Sequence, residues 1–158
     1  IENGVTTIND YTFANCTNMI EIIIPNSVTS IGSYAFNGCS NLQSIPDGLF
    51  DSCTKVTHFT FVFKNCWGLS VIPTGLFDNN REVLYFTETF QGCTALTGES
   101  PYTIINVDGK DVKVHLYERN NYGKYFQRLY GYDDCFKGCT NLTDYNSIPK
   151  NWKNYSNY

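Results

Sequence analysis

The chain has 158 residues, 42% of them hydrophobic and 16% charged, with 11 Lys and Arg against 15 Asp and Glu for a net charge of −4. That length suits one domain with a buried core, and a charged fraction below the roughly 25% of an average soluble domain leaves Asn, Ser, Thr and Tyr to cover the surface. So few basic side chains argue against a nucleic-acid-binding surface, and no stretch approaches the roughly 20 apolar residues of a membrane-spanning helix.

The first residue is Ile1, and the chain opens inside a repeating pattern, which points to a mature or excised piece of a longer protein. The pattern is Phe-x-[Asn/Gly]-Cys. It occurs at Phe13 to Cys16, Phe36 to Cys39, Phe63 to Cys66, Phe90 to Cys93 and Phe136 to Cys139, and uses five of the seven cysteines. Three residues after each cysteine stands Met19, Leu42, Leu69, Leu96 or Leu142, and a proline follows at Pro25, Pro46, Pro73, Pro101 or Pro149. Successive cysteines are 23, 27, 27 and 46 residues apart, so the last gap is one repeat plus an insertion.

Outside that cluster, Val5-Thr6-Thr7-Ile8 aligns with Val28-Thr29-Ser30-Ile31, and Gly48-Leu49-Phe50-Asp51 aligns with Gly75-Leu76-Phe77-Asp78. Val56 and Phe59 return as Val83 and Phe86. Units this short cannot bury their own apolar faces and must stack, lining up columns of Phe, Cys, Leu and Ile. Within a unit the sequence predicts two short extended runs around a tight helical turn: residues 19–24, 42–45 and 69–72 for one run, and 28–31, 56–61 and 83–87 for the other. Proline ends the first run and Gly32, Gly48 and Gly75 mark corners. The expected fold is an α/β repeat solenoid, rich in short strands with short helical turns. Its repeats span about 5–27, 28–46, 47–73, 74–101 and 134–152, around an irregular insertion at 102–133.

The stretch Val28-Thr29-Ser30-Ile31-Gly32-Ser33-Tyr34-Ala35-Phe36-Asn37-Gly38-Cys39-Ser40-Asn41-Leu42 resembles the consensus of the BspA-like leucine-rich repeats of bacterial surface proteins. The 27-residue units resemble a lengthened variant of it, and the segment after Pro101 departs from it. The resemblance implies a secreted or outer-surface bacterial adhesin that attaches to host matrix proteins or to other cells.

In the insertion, Val107-Asp108-Gly109-Lys110 reads as a two-residue hairpin turn, because Asp-Gly tolerates the positive backbone angles such turns need. The implied register sets Ile105 opposite Val112, Thr103 opposite Val114 and Ile104 opposite Lys113, with His115 on the face away from the Val112 and Val114 row. The alternative is that the two strands replace the ordinary runs of one irregular coil. Next comes a segment dense in Tyr and Arg, residue types that recur at binding hot spots. Tyr117, Arg119, Tyr122, Tyr125, Arg128 and Tyr130 are therefore candidate ligand contacts, unless they form a lid over the flank of the repeats. His58 and Tyr85, at matching outward positions of successive units, complete the candidate set.

The column cysteines are expected to be thiols packed as small hydrophobes, since equivalent side chains pointing the same way suit a disulfide poorly. Cys53 and Cys135 lie off the column and are the candidates for exposure or pairing. Cys135 and Cys139 have no nearby histidine to complete a zinc site, and no phosphate loop or hydrolase motif occurs. The sequence implies no enzyme, metal or cofactor. The sequons at Asn15, Asn141 and Asn154 read as by-products of the repeat, and Trp152 with the Asn-rich end as a cap over the last coil. Outward strand positions that vary while the core columns hold suit recognition more than catalysis, and the resemblance implies a host matrix or cell-surface protein as the partner, at an extracellular site. The alternatives are a rigid spacer that presents another domain, or a glycan-binding module in which Trp67 joins the tyrosines.

Overall fold

The computed structural model describes residues 1–154. Hydrogen bonds between equivalent residues of consecutive repeats set the order of the chain. The Phe N–H of each repeat donates to the next: Phe13 to the Ala35 carbonyl at 2.9 Å, Phe36 to Val62 at 3.0 Å, Phe63 to Thr89 at 3.0 Å and Phe90 to Cys135 at 2.9 Å. Regular strand is sparse. β1 (Thr7–Ile8) and β2 (Ser30–Ile31) pair in parallel, and single parallel bridges join Ser44 to Val71, His58 to Tyr85 and Tyr85 to Gly131.

The repeats are thus poorer in strand than their sequence suggests. Turns closed by bonds from residue i+3 back to residue i follow one another, as at Val62 to Phe59, Cys66 to Phe63 and Leu69 to Cys66, so only one or two residues between turns can pair. Each repeat also passes twice through the left-handed region. One such position is two residues before the Phe, at Tyr11, Tyr34, Phe61, Glu88 and Asp134, with φ from 52° to 62°. The other precedes the cysteine, at Asn15, Gly38, Asn65, Gly92 and Gly138. That second position explains the Asn/Gly choice, because these residues accept a positive φ most readily. Asn and Gly also fit each other in space: a Cβ on Gly38 would meet the Asn15 Oδ1 at 2.3 Å, and one on Gly92 would meet the Asn65 Oδ1 at 2.5 Å.

The core is a set of columns. Phe13, Phe36, Phe63, Phe90 and Phe136 stack at 5.5 to 5.8 Å between ring centroids, and Phe50, Phe59, Phe77 and Phe86 form a second aromatic layer beside them. Each column cysteine after Cys16 donates its thiol to a carbonyl of the preceding repeat, as Cys66 does to Phe36 and Cys93 to Phe63, both at 3.2 Å. Cys53 and Cys135 depart from expectation. Both are buried free thiols at 1% and 0% exposure, because their places off the column still face the inter-repeat core.

Between the fourth and fifth units the chain leaves the stack. β3 (Tyr102–Val107) and β4 (Lys110–His115) pair antiparallel, with Ile105 opposite Val112, Thr103 opposite Val114 and Ile104 opposite Lys113. Asp108 and Gly109 both have positive φ at the turn. A 3-10 helix follows at Leu116–Asn121. Ile105, Val114 and Phe126 form a separate small core, with Tyr122 and Tyr125 packed on it. The chain then rejoins the stack, where Gly131 bridges to Tyr85. The short helix α1 (Lys150–Lys153) ends the ladder: the Asn151 and Trp152 carbonyls accept from Asp134 and Phe136, and Trp152 stacks on Phe136 at 6.1 Å. The cap expected at this end rests on Trp152, while residues 155–158 of the Asn-rich tail lie outside the described residues.

Candidate functional site

Two rows of rings emerge on the surface from the repeat geometry. In the first, the left-handed position before each Phe carries Tyr11, Tyr34 and Phe61, whose rings stack at 4.6 and 4.2 Å. The backbone holds them in line, since the Tyr11 N–H donates to the Ser33 carbonyl at 3.1 Å and that of Phe61 to the Thr87 carbonyl at 3.0 Å. The row ends in charge: Lys64 lies 5.3 Å from the Phe61 ring centroid and pairs with Glu88, which occupies the next place in the row. The sequence reading missed this row, although the recurrence of an aromatic residue two places before Phe13, Phe36 and Phe63 was there to find it.

The second row lies one short run away. His58 stacks on Tyr85 at 4.5 Å and 11° between planes, and Tyr130 stands beside Tyr85 at 6.4 Å with 67% of its surface exposed. The Thr57 Oγ1 and His58 Nδ1 lie 2.8 Å apart, orienting the imidazole. Gly131 makes room for the next ring, because a Cβ there would meet the Tyr85 Cδ1 at 2.5 Å. The structure therefore gathers His58, Tyr85 and Tyr130 into one surface, although His58 and Tyr130 lie 72 positions apart in sequence.

The other candidates go elsewhere. Arg119 is the clearest departure from the ligand-contacting set: it is 1% exposed and donates to the Phe77 carbonyl at 2.8 Å, the Asn80 carbonyl at 3.0 Å and the Thr103 hydroxyl at 3.3 Å. Its guanidinium lies 4.4 Å from the Phe126 ring and 5.7 Å from that of Phe86. Burial pulls its pKa down to about 9, against the opposing effect of Asp78. The Asn80 carbonyl has no backbone donor and the Phe77 carbonyl takes only the Asn80 N–H, and the guanidinium supplies both with further donors in a fixed plane.

Tyr122 and Tyr125 are half-buried against the small core, and the Tyr125 hydroxyl donates to the Asn106 carbonyl at 2.7 Å. Tyr117 stacks on His115 at 5.0 Å, and its pKa is driven upward by burial and then by Asp144. Arg128 is exposed. Most of the Tyr- and Arg-dense segment thus packs as a lid, with Arg128 and Tyr130 left on the surface.

A polar latch holds the hairpin to the repeats. His115 bonds to Glu118 through Nδ1 at 3.0 Å and to Glu99 through Nε2 at 2.8 Å, with Asp144 3.6 Å away. Lys113 pairs with Glu99 at 2.9 Å. Burial pushes the Glu99 carboxyl upward, yet the hydrogen bonds from Lys113 and His115 outweigh it and hold the group below its ordinary value. His115 is a half-buried structural contact rather than a simple outward residue of the hairpin.

The thiols are poor nucleophiles. Burial pushes Cys39 and Cys53 up to about 11 and Cys66 and Cys139 up to about 12, far from the low values that mark reactive cysteines. Among the described residues no cluster of three His, Cys, Asp or Glu is placed to hold a metal ion, and no helix is long and apolar enough to cross a membrane.

A family profile described as a BspA type leucine rich repeat region (6 copies) matches residues 1–98, more than half of the chain. No curated protein matches. Among solved structures, a leucine rich cell surface protein from Faecalibacterium prausnitzii A2-165 is 29% identical over 61% of this chain and 29% of its own, with a TM-score of 0.38. A leucine-rich repeat protein from Bacteroides ovatus ATCC 8483 is 18% identical over 99% of this chain and 46% of its own, with a TM-score of 0.37. A leucine rich repeat protein from T. pallidum is 20% identical over 90% of this chain and 75% of its own, with a TM-score of 0.30. The chain spans less than half the length of the first two.

Proposed function

The chain belongs to the BspA type leucine-rich repeat family, and from that premise we propose that it is a non-enzymatic recognition module, one solenoid domain displayed at a bacterial surface, that binds a host matrix or cell-surface protein. The surface row of exposed His58 and Tyr130 with half-buried Tyr85 between them carries the reading. These are flat, partly polar rings held on a rigid hydrogen-bonded ladder, so that little side-chain freedom is lost when a partner covers them. The parallel row of Tyr11, Tyr34 and Phe61 extends the same kind of surface across the first three repeats. The description of the Faecalibacterium prausnitzii protein as a cell surface protein supports the location. Arg128 stays in the proposed contact set as an exposed residue close in sequence to Tyr130, whereas Tyr117, Arg119, Tyr122 and Tyr125 shape the surface from beneath.

The test is binding of the immobilised protein to fibrinogen, fibronectin and other matrix proteins, with a glycan array in parallel. Saturable protein binding that drops at least about tenfold in Tyr85→Ala and Tyr130→Ala, with melting temperature unchanged, supports recognition through this row. Binding confined to glycans moves the function to carbohydrate. Silence across both panels from folded protein favours a spacer, the reading that the unbroken ladder of bonds from Phe13 to Trp152 also accommodates.

A further inference from the structure

The first repeat carries an edge that later repeats tie down. In the second and third repeats the run after the conserved leucine is held to its neighbour: Ser44 bridges Val71, the Ile45 N–H donates to the Val71 carbonyl at 3.2 Å, and the Ser70 N–H donates to the Gln43 carbonyl at 3.0 Å. At the equivalent place in the first repeat, residues 21–24, no backbone N–H or carbonyl has a backbone partner among the described residues. The segment still has a strand's alternation: Glu21 is exposed, Ile22 is 4% exposed and Ile23 is 69% exposed. A cleft of about 350 Å³ opens beside it, lined by Ile22, Ile23 and Ile24 on one side and by Ser44, Pro46 and Leu49 on the other. Its cause is visible in the sequence. The 27-residue stretch from Cys39 to Cys66 includes the Gly48-Leu49-Phe50-Asp51 turn, and the 23-residue stretch from Cys16 to Cys39 has no matching turn to lie against residues 21–24.

Free backbone donors and acceptors beside β-branched side chains form a template for an added strand, and natural edges usually blunt such a template with lysine, proline or a bulge. Here only Pro25 interrupts it, after the last of the three isoleucines. The charge around the cleft has one sign: Glu21 and Asp47 line it, and no Lys or Arg does. We infer that residues 21–24 and this cleft bind an extended basic peptide as an added strand, with alternate small apolar side chains entering the cleft and lysines meeting Glu21 and Asp47. The site shares no residue with the His58 and Tyr85 row and does not depend on the reading given to that row.

The probe is a capped hexapeptide of alternating lysine and valine, titrated against the whole chain at low salt by fluorescence anisotropy. Three controls accompany it: the same peptide N-methylated at alternate residues, a peptide with glutamate in place of lysine, and the chain carrying Ile23→Pro or Ile23→Lys. The Ile23 N–H has no backbone partner among the described residues, so Ile23→Pro removes a donor without breaking any bond described there. Ile23→Lys keeps that donor and repels the probe.

The expected result is saturable binding that weakens at least about tenfold on N-methylation, as the loss of two hydrogen bonds implies. Binding should weaken similarly with the glutamate peptide and with either variant, while the melting temperature stays put. Equal binding of the methylated peptide would overturn the strand pairing and leave only charge attraction. Absence of binding, or a concentration-dependent dimer that Ile23→Pro abolishes in place of peptide binding, would overturn the proposed occupant.

Discussion

The repeats and the hairpin segment solve the same problem of burial by different means. In the repeats, the columns set like residues against like one unit away, so Phe36 is held by Phe13 and Phe63, and the thiols of Cys39, Cys66, Cys93 and Cys139 each reach a carbonyl of the repeat before. The hairpin segment has no such counterparts. Three apolar residues, one buried guanidinium and a half-buried histidine among carboxylates dock it instead. Repetition makes a core that tolerates changes of sequence along its surface, whereas the excursion is held by a few contacts that cannot be exchanged one at a time.

Alkali should separate the two regions most strongly. The unfolded thiols titrate near 9 and the folded ones well above, so between these values the unfolded state has shed protons that the folded state keeps. Stability therefore falls as pH rises past 9. Between pH 9 and 10 the loss is about 1 kcal/mol for each of Cys66 and Cys139, with Cys39, Cys53, Cys93 and Cys135 acting in the same direction. Arg119 acts with the opposite sign. Its folded pKa is lowered to about 9, so the unfolded state holds the extra proton above that pH and stability gains. Denaturant midpoints at pH 7, 9 and 10 should drop, and drop more steeply in Arg119→Met. A flat profile would mean that the thiols are not buried as described.

Phe63→Ala should cost about 3–5 kcal/mol, because it empties the middle of a column stacked on both sides. Phe126→Ala should cost less, about 3 kcal/mol, and its first effect should be faster amide exchange confined to β3 and β4. A uniform rise in exchange would show that the hairpin and the repeats unfold as one unit. Arg119→Met removes the donors to Phe77 and Asn80 and should cost about 2 kcal/mol, since the Asn80 carbonyl loses its partner and the Phe77 carbonyl keeps only the Asn80 N–H.

The smallest effects compare two glycines. Gly109→Ala meets only the cost of a positive φ, about 1–2 kcal/mol, since a Cβ there has open space. Gly38→Ala carries the same backbone cost and also presses on the Asn15 side chain. It should melt measurably lower than Gly109→Ala, and Asn15→Gly in the same chain should recover the difference.

Much of this was readable in the residues. The repeat frame, the Phe and Cys columns and the hairpin register followed from spacing and turn chemistry, because each depends on local backbone geometry and on a period that stacking preserves. The candidate surface was half legible: His58 and Tyr85 occupy the same place in consecutive units, so they could be paired by position alone. Arg119 could not be placed. Between Tyr117 and Tyr122 it looks like a surface contact, and only the carbonyls of Phe77 and Asn80, some forty residues earlier, decide that it turns inward. The short runs were read as strands because β-branched residues fill them, whereas the three-residue turns on either side leave too little length to pair.

The sequence by itself determined the periodic part: which residues form columns, where Asn or Gly must accept a left-handed backbone, and how the Asp-Gly turn sets its strands. These follow from short-range sterics and from repetition, which carries one local solution to every unit. Tertiary structure alone decided where the non-repeating residues went. It turned Arg119 inward and left Tyr117 half-buried, and it drew Tyr130 to the side of Tyr85. Those outcomes depend on which donors, acceptors and surfaces remain unpaired after the chain has folded back on itself, and no local window of sequence contains that information.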